Sequence, residues 1–236
     1  MWSDAAKKEI GDCPMFLWRL EIRRVISNLQ SLISNPGLFI AICLMLVSCG
    51  RVDPVVKIGL VAPFEGQHRA LGYDVIYSAR LAVREINQAG GIGGYRLALV
   101  ALDDGGNLEQ ATAAAASLAI DPAVVVVVGH WWPETTAVAA PIYSEAGLPF
   151  IATGLTPFTM ADPALLPAAF HQAYEAVTPF DETAGPYAAP AYDAFQLLRR
   201  ALEETKENGR PISRNTVAMA LSGLEYEGLT GVVYQP

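Results

Sequence analysis

Five consecutive valines, Val124–Val128, constrain the fold of this chain more than any other feature of its sequence. β-Branched residues favour strands, and a run of five is too short for a helix of ordinary length. Since every side chain in the run is apolar, we predict a strand buried on both faces, as in the middle of a parallel sheet. Gly129 ends the run, and Pro133 suits the first position of a helix. Ligands of open α/β sheets bind at the carboxyl ends of the strands, so the turn between Gly129 and Pro133 is the first candidate site.

Strand-like and helix-like patterns alternate on both sides of this run, with short connections between them. Such alternation is typical of a parallel sheet with right-handed crossovers and helices on both faces. We therefore predict an α/β fold, an open parallel sheet in a three-layer α/β/α arrangement. The predicted strands are residues 55–64, 96–102, 124–128 and 149–152, and the predicted helices are residues 73–89, 108–120 and 133–146. Asn107 is the expected cap of the second helix, whose Leu108, Ala111, Ala115 and Leu118 are expected to face the sheet.

The pattern changes after residue 154. Residues 155–186 contain five prolines and no convincing strand, and their one predicted helix is residues 164–177. A long amphipathic helix is predicted at residues 188–207, with Ala191, Phe195, Leu198 and Leu202 on its buried face. Ser213 is expected to cap a last helix that ends near residue 221, and residues 228–234 form a final extended piece. We predict a leader at 1–48, a tether at 49–54 and one α/β domain at 55–236.

The composition excludes some partners and any disulfide framework. The chain has 236 residues and a formal net charge of −8, which argues against nucleic-acid binding because phosphate contacts need clustered Lys and Arg. Its three cysteines, Cys13, Cys43 and Cys49, all lie in the first fifth of the sequence. Disulfide bonds are therefore not expected to hold the globular part together.

The first fifty residues contain a basic flank and a short apolar run that ends near a cysteine. Arg19, Arg23 and Arg24 precede the apolar residues 38–47. Ten residues are too few to cross a hydrocarbon core of ~30 Å as a helix, but they suit the apolar region of an export signal. The end of the run, Leu-Val-Ser-Cys, resembles a bacterial lipoprotein signal, which implies export and a membrane-lipid anchor on Cys49. The alternative is an amphipathic or core helix that ends in a cysteine.

The sequence contains no convincing catalytic or metal-binding constellation. Asp103 and Asp104 follow a predicted strand, where carboxylates hold Mg²⁺ in phosphoryl-transfer folds. That chemistry also needs further carboxylates and a lysine or a phosphate loop, which the neighbouring strand ends lack, so Asp104 is interpreted as a turn residue. His68, His130 and His171 have no metal-ligand spacing and no paired nucleophile. We expect no enzyme activity, no cofactor and no metal.

Three stretches of the chain carry a family resemblance: KIGLVAPFEG, ARLAVREINQAGGIGGYRLALVALDDGGNLEQA and VVVVVGHWWPETTAVAAPIYSEAGLPFIATG. They resemble the leucine/isoleucine/valine-binding protein family, the type I periplasmic solute-binding proteins of ABC transporters. Residues 187–201 and 228–234 resemble the part of the family that returns to the same lobe. The resemblance implies an extracytoplasmic protein that binds a small solute and delivers it to an ABC transporter permease.

One departure from this family is large. Members place a whole second lobe where this chain has about thirty residues, between 156 and 187, and so few residues cannot form an independent domain. The resemblance therefore implies one lobe of a type I periplasmic-binding-protein fold. Members close two lobes around the solute, so a single lobe would supply half of the site.

The resemblance and the strand ends together indicate the candidate ligand-binding residues. Pro133 stands where amino-acid-binding members have a serine, which removes a hydroxyl and a backbone N–H, and Glu134 disfavours an anionic group nearby. The two tryptophans are either walls of the site, or one packs in the core while the other faces the missing lobe. The candidates are Phe64, Glu65, His130, Trp131, Trp132, Glu134, Thr135, Leu155 and Thr156.

Three hypotheses for the function remain open at this point. The first is a solute-binding lipoprotein, or its amino-terminal lobe, that serves an ABC-type uptake system. The second is an interaction module, including a homodimer, that uses an exposed cleft face containing Trp131, Trp132 and Phe158. The third is a non-functional remnant of an internal deletion.

Overall fold

The computed structural model describes residues 53–153, 160–180 and 182–234, and these belong to one compact unit. Four parallel strands form its sheet. Numbered along the chain, they lie side by side in the order second, first, third and fourth. Each of the first three strands along the chain is followed by a helix. This confirms the predicted open parallel α/β sheet. The elements are β1 (Val55–Ala62), α1 (Arg69–Gln88), β2 (Arg96–Asp103), α2 (Leu108–Ile120), β3 (Val124–Val128), α3 (Pro133–Glu145) and β4 (Phe150–Ile151).

The second half of the described chain is helical and ends in a hairpin. Its elements are α4 (Ala168–Glu175), α5 (Ala188–Glu207), α6 (Arg214–Leu221) and the antiparallel strands β5 (Glu225–Gly228) and β6 (Gly231–Tyr234). Short 3₁₀ turns occur at Gly66–His68 and Pro163–Leu165. Among the helices of the described residues, none combines the length and the apolar character that a membrane span requires.

The valine strand β3 lies inside the sheet and is buried along its whole length, as predicted. Val126 and Val128 pack with α1 and α5 in one apolar cluster. Val124 and Val127 pack with α2 and α3 in a second cluster on the opposite face. The two clusters show why the run contains no polar residue, since each face of the strand is covered by helices.

The sequence patterns placed most elements correctly, with three errors, of which one is that the single extended piece predicted at residues 228–234 is a hairpin whose first strand begins at Glu225. Asn107 caps α2 by accepting a hydrogen bond from the Gln110 backbone N–H at 2.9 Å, as predicted. The prediction that Leu108 faces the sheet was wrong, since its side chain is 51% exposed in the first turn and Ala114 joins the buried stripe instead. The helix predicted at residues 164–177 is divided into a 3₁₀ turn and α4, because Leu166 is extended before Pro167, as residues before proline prefer.

The described residues 160–180, which follow the sheet, fold back onto α1. Phe170 and Tyr174 of α4 pack against Tyr77 and Leu81 of α1 in a third apolar cluster. The rings of Tyr77 and Tyr174 meet edge to face, with 6.2 Å between their centroids. Burying these aromatic side chains stabilises the segment on the lobe through the apolar area removed from water.

Two carboxylates fasten the connections around α5. Asp74 of α1 accepts hydrogen bonds at 3.1 Å from the backbone N–H groups of Gly185 and Tyr187, just before α5 begins. Asp193 of α5 accepts from the backbone N–H groups of Leu229 and Thr230 at 2.9 and 2.8 Å, and from the Thr230 hydroxyl at 2.6 Å. The pKa of both carboxyl groups is raised above the ordinary value for aspartate. Burial is the main cause, and these hydrogen bonds oppose it only in part.

Candidate functional site

The carboxyl ends of the four parallel strands lie along one edge of the sheet, which we call the carboxyl edge. It comprises residues 63–65 after β1, the last residue of β2 with residues 104–106, residues 129–132 after β3 and residues 152–153 after β4. Asp103 organises the first two of these turns, since its Oδ1 accepts backbone hydrogen bonds from Phe64 at 2.7 Å and from Gly105 at 2.9 Å. Asp104 Oδ1 accepts another from Gly106 at 3.0 Å. Asp104 is therefore a turn residue, as interpreted from the sequence, and Asp103 at the end of β2 holds the turns beside it.

A buried hydrogen-bonded network lies beneath the carboxyl edge. His130 Nδ1 is 2.9 Å from Asp104 Oδ2, and His130 Nε2 is 3.0 Å from the hydroxyl of Tyr143. The side chains of Asp104 and His130 have no exposed surface. Burial raises the pKa of Tyr143, so its hydroxyl stays protonated at neutral pH. A solute on the surface does not reach these groups, and the network acts by holding the turn after β3.

The turn after β3 is further fixed by close packing and by threonine hydroxyls. Gly129 has φ +134°, and a Cβ atom there would collide with the carbonyl oxygen of Val61. The hydroxyl of Thr136 donates to the carbonyl oxygen of His130 at 3.2 Å and to that of Trp132 at 2.8 Å. Thr153 also donates to the His130 carbonyl oxygen, at 3.4 Å. The turn is thus held from β1, α3 and the end of β4.

The two tryptophans of this turn have different environments. Trp131 is 4% exposed and packs edge to face on Tyr187, with 6.1 Å between ring centroids. Its Nε1 has no hydrogen-bond partner among the described residues. Trp132 is half-buried and meets the ring of His68 at 5.4 Å between centroids and an interplanar angle of 62°. Trp131 therefore belongs to the core, and Trp132 presents an aromatic surface at the edge.

The candidate residues from the sequence divide by exposure. Glu65 and Glu134 are exposed, and Phe64 and Trp132 are partly exposed, so these four can contact a solute. His130, Trp131 and Thr135 are buried, and their contacts position the turn. Four residues named in the sequence predictions lie outside the described residues: Leu155, Thr156, Phe158 of the predicted cleft face, and Cys49. His68 was missed as a site residue, although its place just after the first strand predicts that it lies at the same edge as Trp132.

The described surface of the edge is acidic. Glu65 and Glu134 are exposed there, and the one basic residue close to them in sequence is Arg69, the first residue of α1. Within residues 53–153, 160–180 and 182–234, no group of three or more His, Cys, Asp or Glu side chains has a metal-binding arrangement. The described edge offers an aromatic ring pair, Trp132 and His68, and two exposed carboxylates, Glu65 and Glu134.

Comparison with protein families gives a match over the residues that build this edge. Residues 55–165 match the family model described as periplasmic binding protein. An amino acid binding protein of Pseudomonas aeruginosa is 37% identical over 101 residues, which are 43% of this chain and 27% of that protein. The leucine-specific-binding protein of Salmonella typhimurium is 31% identical over 112 residues, 48% of this chain and 30% of that protein. The match thus spans less than a third of either relative.

Solved structures share the fold over more of the chain. A branched-chain amino acid transporter substrate-binding protein of Streptococcus pneumoniae, in complex with isoleucine, has a TM-score of 0.63 at 18% identity and covers 76% of this chain and 91% of that one. An ABC transporter substrate-binding protein of Desulfitobacterium hafniense, in complex with leucine, has a TM-score of 0.60 at 16% identity, with 76% and 92% covered. At these identities the likeness establishes the fold of a type I periplasmic-binding-protein lobe.

Proposed function

We propose that this chain, whose residues 55–165 match the periplasmic binding protein family model, is an extracytoplasmic solute-binding protein of an ABC-type uptake system. One observation carries the proposal: the residues that match the family are those that build the whole carboxyl edge, from the end of β1 to the end of β4. The related proteins are named for binding amino acids, which makes a small amino-acid-like solute the first candidate ligand.

The exposed groups of the carboxyl edge restrict the chemistry of that solute. Trp132 supplies a flat apolar surface, and Phe64 adds a second partly exposed ring. Glu65 and Glu134 add negative charge, and Pro133 has no N–H for a carboxylate. An amino-acid-like solute whose carboxyl group is absent or neutralised therefore fits this edge better than a free amino acid. Leu155 and Thr156 are proposed to complete the contacts.

We expect residues 50–236 to bind amino acid amides at least as tightly as the free amino acids. The reason is that an amide avoids repulsion from Glu134 and needs no N–H at position 133. Trp131 and Trp132 are the only tryptophans in this fragment, so a saturable change in tryptophan emission during titration measures binding.

Two variants assign that signal. Trp132→Phe is expected to remove most of the emission change and to weaken binding less than about fivefold, because fivefold is the size of a whole aromatic contact and phenylalanine keeps a smaller ring. Trp131→Phe is the matched control. It is expected to retain the emission change and the affinity for the solute, because Trp131 is buried in the core. An unchanged emission with every solute at millimolar concentration, together with a concentration-dependent dimer in sedimentation, would contradict the solute-binding role.

The proposal includes export and anchoring of the domain in front of a permease. Support comes from the basic flank, the short apolar run and the Leu-Val-Ser-Cys sequence that ends at Cys49. A lipid on Cys49 would keep the solute-binding domain at the outer face of the membrane, where a permease partner receives the solute. Residues 50–54 would then act as a short tether.

Cys49→Ala is expected to abolish incorporation of labelled fatty acid and to release the protein from the membrane fraction. The thiol of Cys49 is the attachment point in this proposal, so no other residue should replace it. Cys43→Ala is the matched control, since it removes a thiol from the apolar run and should leave labelling and membrane retention unchanged. Membrane retention of Cys49→Ala at the level of the unmodified protein would exclude the lipid anchor.

A second candidate function is an interaction or homodimerisation module. The observation in its favour is that the segment in place of the second lobe carries three exposed apolar side chains, Met160, Leu165 and Phe180, at 64, 83 and 82% exposure. Trp131 does not contribute to such a surface because it is buried. The sedimentation measurement above distinguishes this module from the solute-binding protein, and a monomer without any ligand would indicate a deletion remnant.

A further inference from the structure

A cavity of about 250 Å³ lies far from the carboxyl edge, where the segment after β4 packs onto the lobe. It is open to solvent on one side and is lined by α1, α4, α5 and the turn between β5 and β6. Glu85, at its wall, lies 16 residues after Arg69 in α1, which is about 24 Å along the helix from the carboxyl edge. The lining side chains used below are Leu81, Glu85, Phe170, Ala173, Tyr192 and Leu229.

The polar side of this cavity is a carboxylate without a cationic partner. Oε2 of Glu85 accepts a hydrogen bond from the hydroxyl of Tyr192 at 2.6 Å. Among the described residues no basic side chain forms a salt bridge with Glu85, which is only partly exposed. Arg84, which is adjacent in sequence, and Arg199, which lies near Tyr192, have other partners. Arg84 donates to the Ala176 carbonyl oxygen at 3.3 Å, and Arg199 pairs with Glu203 at 2.8 Å.

The remaining walls of the cavity are aromatic and aliphatic. The rings of Phe170 and Tyr192 are 5.3 Å apart between centroids at an interplanar angle of 66°. Leu81, Ala173 and Leu229 supply aliphatic surface. Aromatic faces attract cations, and a partly desolvated carboxylate strengthens that attraction because few waters screen it. The combination favours a ligand with one positive charge and an apolar body.

We propose that this cavity is a second binding site, separate from the carboxyl edge, that takes a small primary alkylammonium ion. The ammonium group pairs with Glu85, whose Oε2 is held by Tyr192, and the alkyl chain packs against Leu81, Phe170 and Leu229. The volume is below the range of about 300–1,000 Å³ that is usual for drug-sized ligands, which limits the ligand to a few carbon atoms. The inference does not depend on solute binding at the edge.

Calorimetric titration of the full-length protein at constant ionic strength tests the site. The probes are n-butylammonium chloride and 1-pentanol, which have similar shapes and differ in charge. We expect saturable binding of n-butylammonium that is at least about tenfold tighter than that of 1-pentanol, since the carboxylate and the rings act only on the cation. Glu85→Gln is expected to weaken n-butylammonium binding about tenfold and to leave 1-pentanol unchanged.

A matched control separates the site from the overall negative charge of the protein. Glu145→Gln removes the same charge from the exposed end of α3 and should leave n-butylammonium binding unchanged. Equal affinity for the two probes in the unmodified protein would overturn the proposal, whether or not Glu85→Gln folds. Equal weakening by both glutamine variants, or the absence of saturable n-butylammonium binding at millimolar concentration, would overturn it as well.

Discussion

Arg214→Ala is expected to lower the free energy of unfolding by about 3 kcal/mol, because one guanidinium group satisfies four backbone carbonyl groups. Arg214 Nε donates to the carbonyl oxygen of Val124 at 2.9 Å, and Nη1 donates to that of Ala146 at 3.0 Å. Nη2 donates to the carbonyl oxygens of Ala119 and Asp121 at 3.1 and 2.7 Å. The side chain thus ties α6 to the ends of α2 and α3 and to the start of β3. Urea denaturation followed by circular dichroism measures the loss.

Arg214→Lys is a sharper version of the same test. A lysine ammonium keeps the charge but lacks the planar fork that reaches carbonyl groups in several directions, so we expect it to recover less than half of the loss. Arg210→Ala is the matched control, since Arg210 is exposed four residues earlier and should change the free energy of unfolding by less than about 0.5 kcal/mol. A loss of less than about 1 kcal/mol for Arg214→Ala would contradict the anchoring role.

The role of Arg214 illustrates which contacts sequence patterns do not reveal. Its carbonyl partners lie 68 to 95 residues earlier in the chain and carry no side-chain signal, because any residue has a carbonyl oxygen. Asp74 and Asp193 were missed for the same reason, since they bind backbone N–H groups of residues 111 and 36 positions away. Local signals were sufficient for Asn107 and Ser213, whose side chains cap the helix that follows directly.

The sheet was predictable from the sequence because its strands are runs of apolar residues, unlike the segments that flank them. The valine run has apolar side chains on both faces, and burial on both faces is what the structure shows. The ends of the strands then followed from topology, since parallel strands in βαβ units end at one edge. Which side chains of the edge point outward was not predictable. His130 and Trp131 follow the strand as Trp132 does, yet only Trp132 keeps an exposed ring.

Exposure at the edge was decided by partners in other elements. His130 is drawn inward by Asp104 of the β2 turn and Tyr143 of α3, and Trp131 is covered by Tyr187 just before α5. These contacts join residues that lie 26, 13 and 56 positions apart, and a single sequence does not show that they meet. These contacts with other elements therefore determine which of the adjacent aromatic residues stays partly exposed at the carboxyl edge.

Asp104→Ala is expected to lower the free energy of unfolding by about 4 kcal/mol, because it removes one partner from a fully buried polar pair. His130 Nδ1 and the Gly106 backbone N–H would both lose the group that they contact at 2.9 and 3.0 Å. The turn that carries Trp132 would also lose its support from β2, so solute binding at the edge should weaken in any variant that still folds. Chemical denaturation and the tryptophan titration measure the two effects separately.

Two further variants separate the buried network from a simple loss of packing. Asp104→Asn keeps the shape of the side chain and one acceptor oxygen. We therefore expect it to lower the free energy of unfolding by about half as much as Asp104→Ala does. Tyr143→Phe removes only the hydroxyl that lies 3.0 Å from His130 Nε2 and should cost about 1 kcal/mol. Residues that act as one network are not additive, so Asp104→Ala combined with Tyr143→Phe should cost at least about 1 kcal/mol less than the sum of the single losses. Additive losses would mean that His130 does not couple the two side chains, and that each stabilises the turn after β3 independently.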